Sequence, residues 1–379
     1  MNSESFEYLV VGAGMTGVSA AFELSAYGPT ALIEMEDRPA RHSTGRSAAM
    51  LIDAYGEKEI SGLTRIARRF FSTPPSFFGE HPLLTPRGSL VVGDETEVEA
   101  LERFANYSAP LASHSRKIYG EETLGICPAL DKRRNWSGVW DPDAVDIDVD
   151  ALLNGYLRGF KARGGLLFTD CKLEALQRAH GVWRASVRES SFTAPIIINA
   201  AGAWAAHIGE MAGAHALGIQ PLRRTAVLIN PEQGDDVRRW PLVLHVGEEW
   251  YFKPESGKIM ASRGDETPTE PADAQPEELD VAISVERFER ATGREVRRIS
   301  HRWAGLRTFA PDRRPVVGFA PEIDGFFWLA GQGGAGIMTA PALAQATAAL
   351  ARGIHLPDIF AEAGLTEEAL SPARFHKAV

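Results

Sequence analysis

The chain has 379 residues, a length for about two domains with cores of their own, and its 44% apolar and 24% charged residues are those of an ordinary globular protein, which excludes disordered or collagen-like composition. A formal net charge of −10 offers no basic stripe to displace counterions from a nucleic acid. Cys127 and Cys171 form no CxxC or Cys/His cluster, so neither a metal site nor a disulfide framework is supported, and small molecules are the expected partners.

The opening MNSESFEYLVV carries acids where a signal peptide would be positive. The apolar stretch 8–22 is interrupted by glycine and is shorter than the roughly 18 apolar residues that cross a bilayer, so a cytoplasmic protein with no transmembrane segment is expected. Tyr8-Leu9-Val10-Val11 reads as a buried strand, GAGMTG opens a helix to about Ala26 that Gly28 and Pro29 end, and TALIE is a second, parallel strand. Further on come a helix over 148–163 stopped by Gly164-Gly165, a strand over 166–169, a short hairpin over 181–187, and PIIINA running into AGAW. Between these, GSLVVGD, TAVLIN, PLVLHV and the pair WYFKP/KIMAS around Glu255-Ser256-Gly257 have the texture of an antiparallel sheet with few crossover helices. The tail returns to the first texture, with GQGGAGI as a glycine-rich turn feeding an Ala-rich helix. The fold class expected is α/β with an α+β second domain, the two interleaved in sequence and the ligand site at their junction.

Gly12-x-Gly14-x-x-Gly17 stands between strand and helix, where Gly12 permits the tight turn, Gly14 admits a pyrophosphate to backbone amides and Gly17 lets helix and strand pack closely. The helix N-terminus favours the anion, and Glu34, closing ALIE, is placed to accept ribose hydroxyls and to repel a 2′-phosphate. RHSTGRSAAM (41–50) gathers His42, Ser43, Thr44, Arg46 and Ser47 with no apolar period. Such donors can bond a second phosphate and a ring with carbonyl and nitrogen acceptors, while a solvated loop with Arg46 paired to an acid fits the stretch equally.

VVGAGMTG, ALIE, HSTGRSAA, NAAGAW, WAGLRTFAPDRRPVVG and GQGGAGI follow one another in the order and spacing of the FAD-dependent D-amino-acid oxidase superfamily, which includes glycine and sarcosine oxidases. Within it, the chain most resembles D-amino-acid dehydrogenases of the D-arginine dehydrogenase type. The resemblance implies a Rossmann-like FAD-binding domain of residues 1–53, 141–218 and 303–379, and a discontinuous antiparallel-sheet substrate domain of 54–140 and 219–302. It implies noncovalent FAD, with Gly12, Gly14, Met15, Thr16 and Gly17 on the pyrophosphate and Glu34 on the adenosine ribose. Ser43, Thr44, Arg46, Ser47, Ala48 and Ala49 would line the flavin side, Leu173, Ala201, Gly202 and Trp204 the adenosine, and Gly333, Gly334, Gly336 and Ile337 the flavin pyrimidine edge, where backbone amides stabilise charge on reduction.

For the substrate, the resemblance implies a carboxylate clamp of Arg307 and Tyr251, with Tyr55 and either Arg224 or Arg223 reaching the pocket. The reaction implied is hydride transfer from Cα to flavin N5, giving an imino acid that hydrolyses to a keto acid and ammonia. Side-chain pocket positions read Met50, Ile52, Ser89, Leu242, Leu244 and Met338, with no carboxylate to neutralise a buried cation, so a D-amino acid with an apolar or small side chain is expected. The alternatives are N-methylated glycines or 2-hydroxy acids as substrates, a non-catalytic FAD-binding assembly protein, and an NAD dehydrogenase. Asp146, Asp148 and Asp150 read as the start of a helix, with Ala151 where a calcium loop requires glycine.

Overall fold

In the computed structural model, which describes residues 3–188 and 190–376, Tyr8–Val11 lies in the middle of a six-stranded sheet. The order is Leu166–Phe168, Thr30–Ile33, Tyr8–Val11, Ile196–Asn199, Phe326–Ala330 and Val316–Phe319, every pair parallel except the last. Successive side chains point to opposite faces. Tyr8, Val10, Leu32 and Ile198 share a core with the helices Met15–Leu24, Val149–Ala162 and Ala340–Ala351, whereas Leu9, Val11, Ala31, Ile33 and Ile197 pack with Trp183 and Phe192 on the other face. With both faces covered, the strands are unbroken apolar runs.

The covering layer is a small sheet of Ser3–Ser5, Ser190–Ala194, Val182–Val187 and Ala175–Ala179. The expected hairpin is therefore part of a larger meander, its turn formed by His180 and Gly181 at φ +53° and +81°, the paired positive values a two-residue turn takes. Asp148 caps the helix Val149–Ala162 by accepting the Ala151 N–H at 2.8 Å, the helix-start role read from the sequence.

The second texture is one sheet of nine strands. Gln220–Ile229 pairs with Ile299–Phe309 on one edge and with Thr267–Pro268 and Lys258–Ser262 on the other, and Tyr251–Glu255, Leu242–His245, Ser89–Gly93, Ser137–Asp141 and Arg116–Tyr119 continue the order. All pairings are antiparallel except Leu242–His245 with Ser89–Gly93, so the sheet is mixed. Ile299–Phe309 hydrogen-bonds in this sheet on both sides of position 303.

More helices accompany this sheet than its hairpin texture suggested, namely Val98–Ser108, Glu121–Ile126 and Glu278–Thr292, whereas Lys58–Ser72 buries Ile60, Leu63, Ile66 and Phe71 in the first domain's core. Glu278–Thr292 buries Val281, Phe288 and Ala291 in one core with Val227 and Phe252 of the sheet and Trp240 of the turn before Leu242–His245, while Arg224, Ala226 and Tyr251 of the same sheet line a cavity. Among the described residues no helix is long and apolar enough to cross a membrane.

Candidate active site

One cavity of about 880 Å³ runs from the carboxyl ends of the first sheet's strands to the front face of the second. Such a crevice at strand ends is where open α/β sheets take ligands.

Its first wall is the turn after Tyr8–Val11. Gly12 adopts φ +102°, and a Cβ there would stand 2.7 Å from the Ala200 carbonyl oxygen. The helix Met15–Leu24 begins at Gly14 with no side-chain cap, and Met15 N–H donates to Thr44 Oγ1 at 3.0 Å. Glu34 is buried, its Oε2 accepting Ala13 N–H at 2.8 Å and its Oε1 accepting Glu36 N–H at 3.0 Å, so the acid first holds the glycine turn in shape. Gly12, Gly14, Met15, Thr16 and Glu34 line the cavity. Gly17 is not among the residues lining the cavity; it packs against the Gly12 carbonyl, the close helix-to-strand approach expected of the third glycine.

Ser43, Thr44, Arg46, Ser47, Ala48 and Ala49 line the next stretch, but the polar side chains already have protein partners. Ser43 Oγ donates to Leu306 O at 2.6 Å and Ser47 Oγ to Thr44 O at 2.9 Å. Arg46 donates to Ala274 O at 3.0 Å, to Ala304 O at 2.9 Å and to the Asp273 carboxylate, while Trp303 Nε1 donates back to Arg46 O at 3.2 Å. The stretch borders the cavity, Arg46 is paired to an acid as the second alternative has it, and its side chains tie the first domain to the strand Ile299–Phe309. What remains for a ligand is backbone, the two alanines and the unused hydroxyl capacity, above all the Thr44 O–H, which has no acceptor among the described residues.

Leu173, Ala201, Gly202 and Trp204 line the end near Glu34, and Trp204 lies 4.8 Å from the ring of His42. Gly333, Gly334, Gly336 and Ile337 border the other end. Gly333, at φ +54°, has no room for a Cβ beside the Phe309 ring, and a Cβ on Gly334 would stand 2.5 Å from Tyr55 Oη and 3.3 Å from Arg307 Nη1.

Arg307, Arg224, Tyr251 and Tyr55 meet on the front face of the second sheet, with Met50, Ile52, Ser89, Leu242, Leu244 and Met338 around them. Neighbours on a strand alternate faces, which separates the two adjacent arginines. Arg224 enters the cavity, whereas Arg223 turns away to Glu277 at 2.5 Å and Asp280 at 3.0 Å. Arg224 Nε donates to Asp265 O at 2.6 Å and its Nη2 to Glu266 Oε1 at 3.2 Å, and Glu266 also receives Arg313 at 2.7 and 3.0 Å.

Among the described residues no acceptor hydrogen-bonds the Arg307 guanidinium. Burial opposes its charge, yet Tyr251, Tyr55, Glu266 and Asp265 outweigh burial and raise its pKa further. The reverse holds for Arg224, which burial and the nearby Arg307 lower. Burial pushes Tyr251 up, but Arg307 and Arg224 prevail and its pKa lies below the ordinary tyrosine value. The cluster thus places two guanidinium groups and two phenol hydroxyls on one wall, a set of donors whose chemistry suits an anion.

Sequence reading missed Glu266, Arg313 and Asp141, all of which line the cavity. Arg313 lay inside a quoted motif, but its positive φ of +59° and its reach to Glu266 depend on the turn's path. The six side-chain positions named from the sequence contain no acid, but Asp141 on the adjoining strand does face the same space, so the premise of a wall without carboxylates is corrected.

The model of the FAD dependent oxidoreductase family, DAO, matches residues 7–350. The chain belongs to this family. Over 349 residues it is 21% identical to mitochondrial sarcosine dehydrogenase of Homo sapiens, covering 87% of this chain and 38% of that protein. It is 24% identical over 369 residues to the uncharacterized oxidoreductase YurR of Bacillus subtilis (strain 168), covering 91% of this chain and 95% of that one. In fold it is similar to L-proline dehydrogenase from P. horikoshii, with TM-score 0.83, 22% identity and coverage of 99% and 98%. Glycine oxidase from Geobacillus kaustophilus superposes with TM-score 0.81, 19% identity and coverage of 99% and 100%.

FAD is therefore the cofactor, and the residues present fit it: a glycine-rich turn, a helix N-terminus whose cap residue Gly14 has no side chain, a buried acid at the end of the second strand, and one continuous cavity onward to Arg307.

Proposed function

We propose that this oxidoreductase oxidises the Cα–N bond of an amino acid held by its carboxylate at Arg307. The observation that carries this reading is the Arg307 guanidinium itself, charged, facing the cavity and without an acceptor among the described residues. A substrate carboxylate supplies the missing counter-charge through two parallel N–H···O bonds. Tyr251 and Tyr55 flank it as hydroxyl donors, and Arg224, fixed by Asp265 O and Glu266, adds positive potential without competing for the same face of the ligand.

FAD, bound noncovalently along Gly12, Gly14, Thr16, Glu34 and Trp204, supplies the acceptor for the hydride that leaves Cα. The chain's own work is orientation and exclusion of water. Gly334 leaves the space that lets Tyr55 and Arg307 approach the glycine-rich turn, and Met50, Ile52, Leu242 and Leu244 close an apolar surface beside the reacting carbon. The substrate amine must lose its proton before the bond is oxidised, and the imino acid released goes on to keto acid and ammonia in water.

The resemblance in sequence favours a D-amino acid, and the apolar surface favours one with an aliphatic stem. The similarity to sarcosine dehydrogenase favours a second reading, an N-methylated glycine whose carboxylate takes the same place. Steady-state kinetics with both enantiomers of each amino acid, sarcosine and dimethylglycine decides between them. A D-enantiomer with the highest kcat/KM supports the first reading, and an N-methylglycine above all amino acids supports the second.

A further inference from the structure

Asp141 ends the strand Ser137–Asp141 directly opposite Ser89, which in turn stands opposite Leu242. Leu242, Ser89 and Asp141 thus form one row across three strands, all facing the cavity, and the next row on that face, Leu244, Val91 and Val139, is apolar. Asp141 is only 6% exposed. One of its oxygens accepts Asp143 N–H at 3.0 Å, and the other has no partner among the described residues.

Among the described residues no basic group hydrogen-bonds it: Arg68, whose charge favours the ionised form of Asp141, is itself bound to Asp53 at 2.8 Å. Burial, and the charges of Asp53 and Asp143, hold the Asp141 pKa above the usual aspartate value. A buried carboxylate with one hydrogen bond and acidic neighbours is costly unless a ligand completes it. Between it and the clamp lies the apolar cluster of Met50, Ile52, Ala144 and Leu242, against which Tyr55 and Tyr251 pack. The cavity therefore has a cationic pole at Arg307, an apolar middle and an anionic pole at Asp141.

We infer that Asp141 receives a cationic nitrogen group at the end of the substrate side chain, which makes the substrate class an amino acid with an aliphatic stem and an ammonium, amidine or guanidinium terminus. The inference rests on the carboxylate clamp proposed above. It replaces the expectation of an apolar or small side chain, because the positions read from the sequence supply the stem's surface while the counter-charge comes from the neighbouring strand.

The test is calorimetric binding to the FAD-loaded protein of two ligands that lack an α-amine and are not oxidised, 5-guanidinopentanoate and its uncharged isostere 5-ureidopentanoate. The guanidinium ligand is expected to bind about tenfold or more tightly, a preference lost in Asp141→Asn and retained in Asp141→Glu. Equal binding of both ligands by the native protein overturns the role of Asp141 and leaves the clamp standing. Binding of neither overturns both. Should Asp141→Asn fail to fold, the native preference together with its retention in Asp141→Glu still decides.

Discussion

Gly17 stands so close to the Gly12 carbonyl oxygen that no Cβ fits between helix and turn. Gly14, three residues earlier, has its nearest would-be neighbour, Thr44 Oγ1, at an ordinary 3.5 Å. The two glycines are thus required for different reasons. Gly17→Ala is expected to destabilise the protein by about 1–3 kcal/mol through overpacking, read as a lower Tm even without FAD. Gly14→Ala is expected to keep the apoprotein's Tm and to raise the Kd for FAD, because its methyl group would enter the part of the cavity proposed for the pyrophosphate. Equal Tm losses in both variants would contradict the division.

Arg307 and Arg223 make a matched pair of opposite prediction. Among the described residues Arg307 has no ion-pair partner, so Arg307→Ala removes none; Tm and FAD content are expected to hold while KM rises about 100-fold or more from the loss of a bidentate, charge-assisted contact. Arg223 is bound to Glu277 and to the buried Asp280, which Arg263 also holds. Arg223→Ala is expected to cost about 1–3 kcal/mol of stability with KM nearly unchanged. Thermal melts and steady-state kinetics on the two variants check both halves.

At Gly334 a methyl group would press on Tyr55 Oη at 2.5 Å and on Arg307 Nη1 at 3.3 Å. Gly334→Ala is expected to raise KM by about tenfold, the loss of one hydrogen bond to a charged group, with little change in Tm. Gly334→Ala combined with Tyr55→Phe, which removes the crowded hydroxyl, is expected to raise KM no further than the glycine substitution alone.

The lowered pKa of Tyr251 sets a direction for the alkaline limb. As pH rises through it, a hydroxyl donor becomes a phenolate beside Arg307 and repels the substrate carboxylate, so KM is expected to climb below the ordinary tyrosine value of about 10. The sign for stability is the opposite. The unfolded chain still holds the phenolic proton over that interval, so this residue adds stability as pH rises. Tyr251→Phe is expected to abolish the climb in KM, and its persistence in that variant would assign the limb elsewhere.

Much of this architecture was legible in the sequence because local rules and burial agree there. The run Tyr8–Val11 is apolar throughout since both faces of its sheet are covered, and the two-residue turn Ser256-Gly257 joins Tyr251–Glu255 to Lys258–Ser262 as its sequence suggests. All the substrate-pocket positions and all the cofactor positions but Gly17 line one cavity. What could not be read depends on register and path. Arg224 and Arg223 are one residue apart, and only the strand's facing decides between them. Asp141 becomes a cavity residue through its pairing with Ser89, and Glu266 through the reach of Arg313, neither of which has a local signature. The side chains of the stretch 41–50 were legible as donors, but their partners, Leu306 O, Ala274 O and Ala304 O, lie more than 220 positions away.

The central claim is that a carboxylate bound at Arg307 presents an amino acid to the flavin, and its most direct test is anaerobic addition of amino acids and N-methylglycines to the purified holoprotein, followed at the oxidised-flavin band near ~450 nm. The account predicts loss of that absorbance with an amino acid, and in Arg307→Ala the same loss only at far higher ligand concentration. Absorbance that stays constant at saturating concentrations of every such compound, as in a flavin-binding assembly protein, would contradict it.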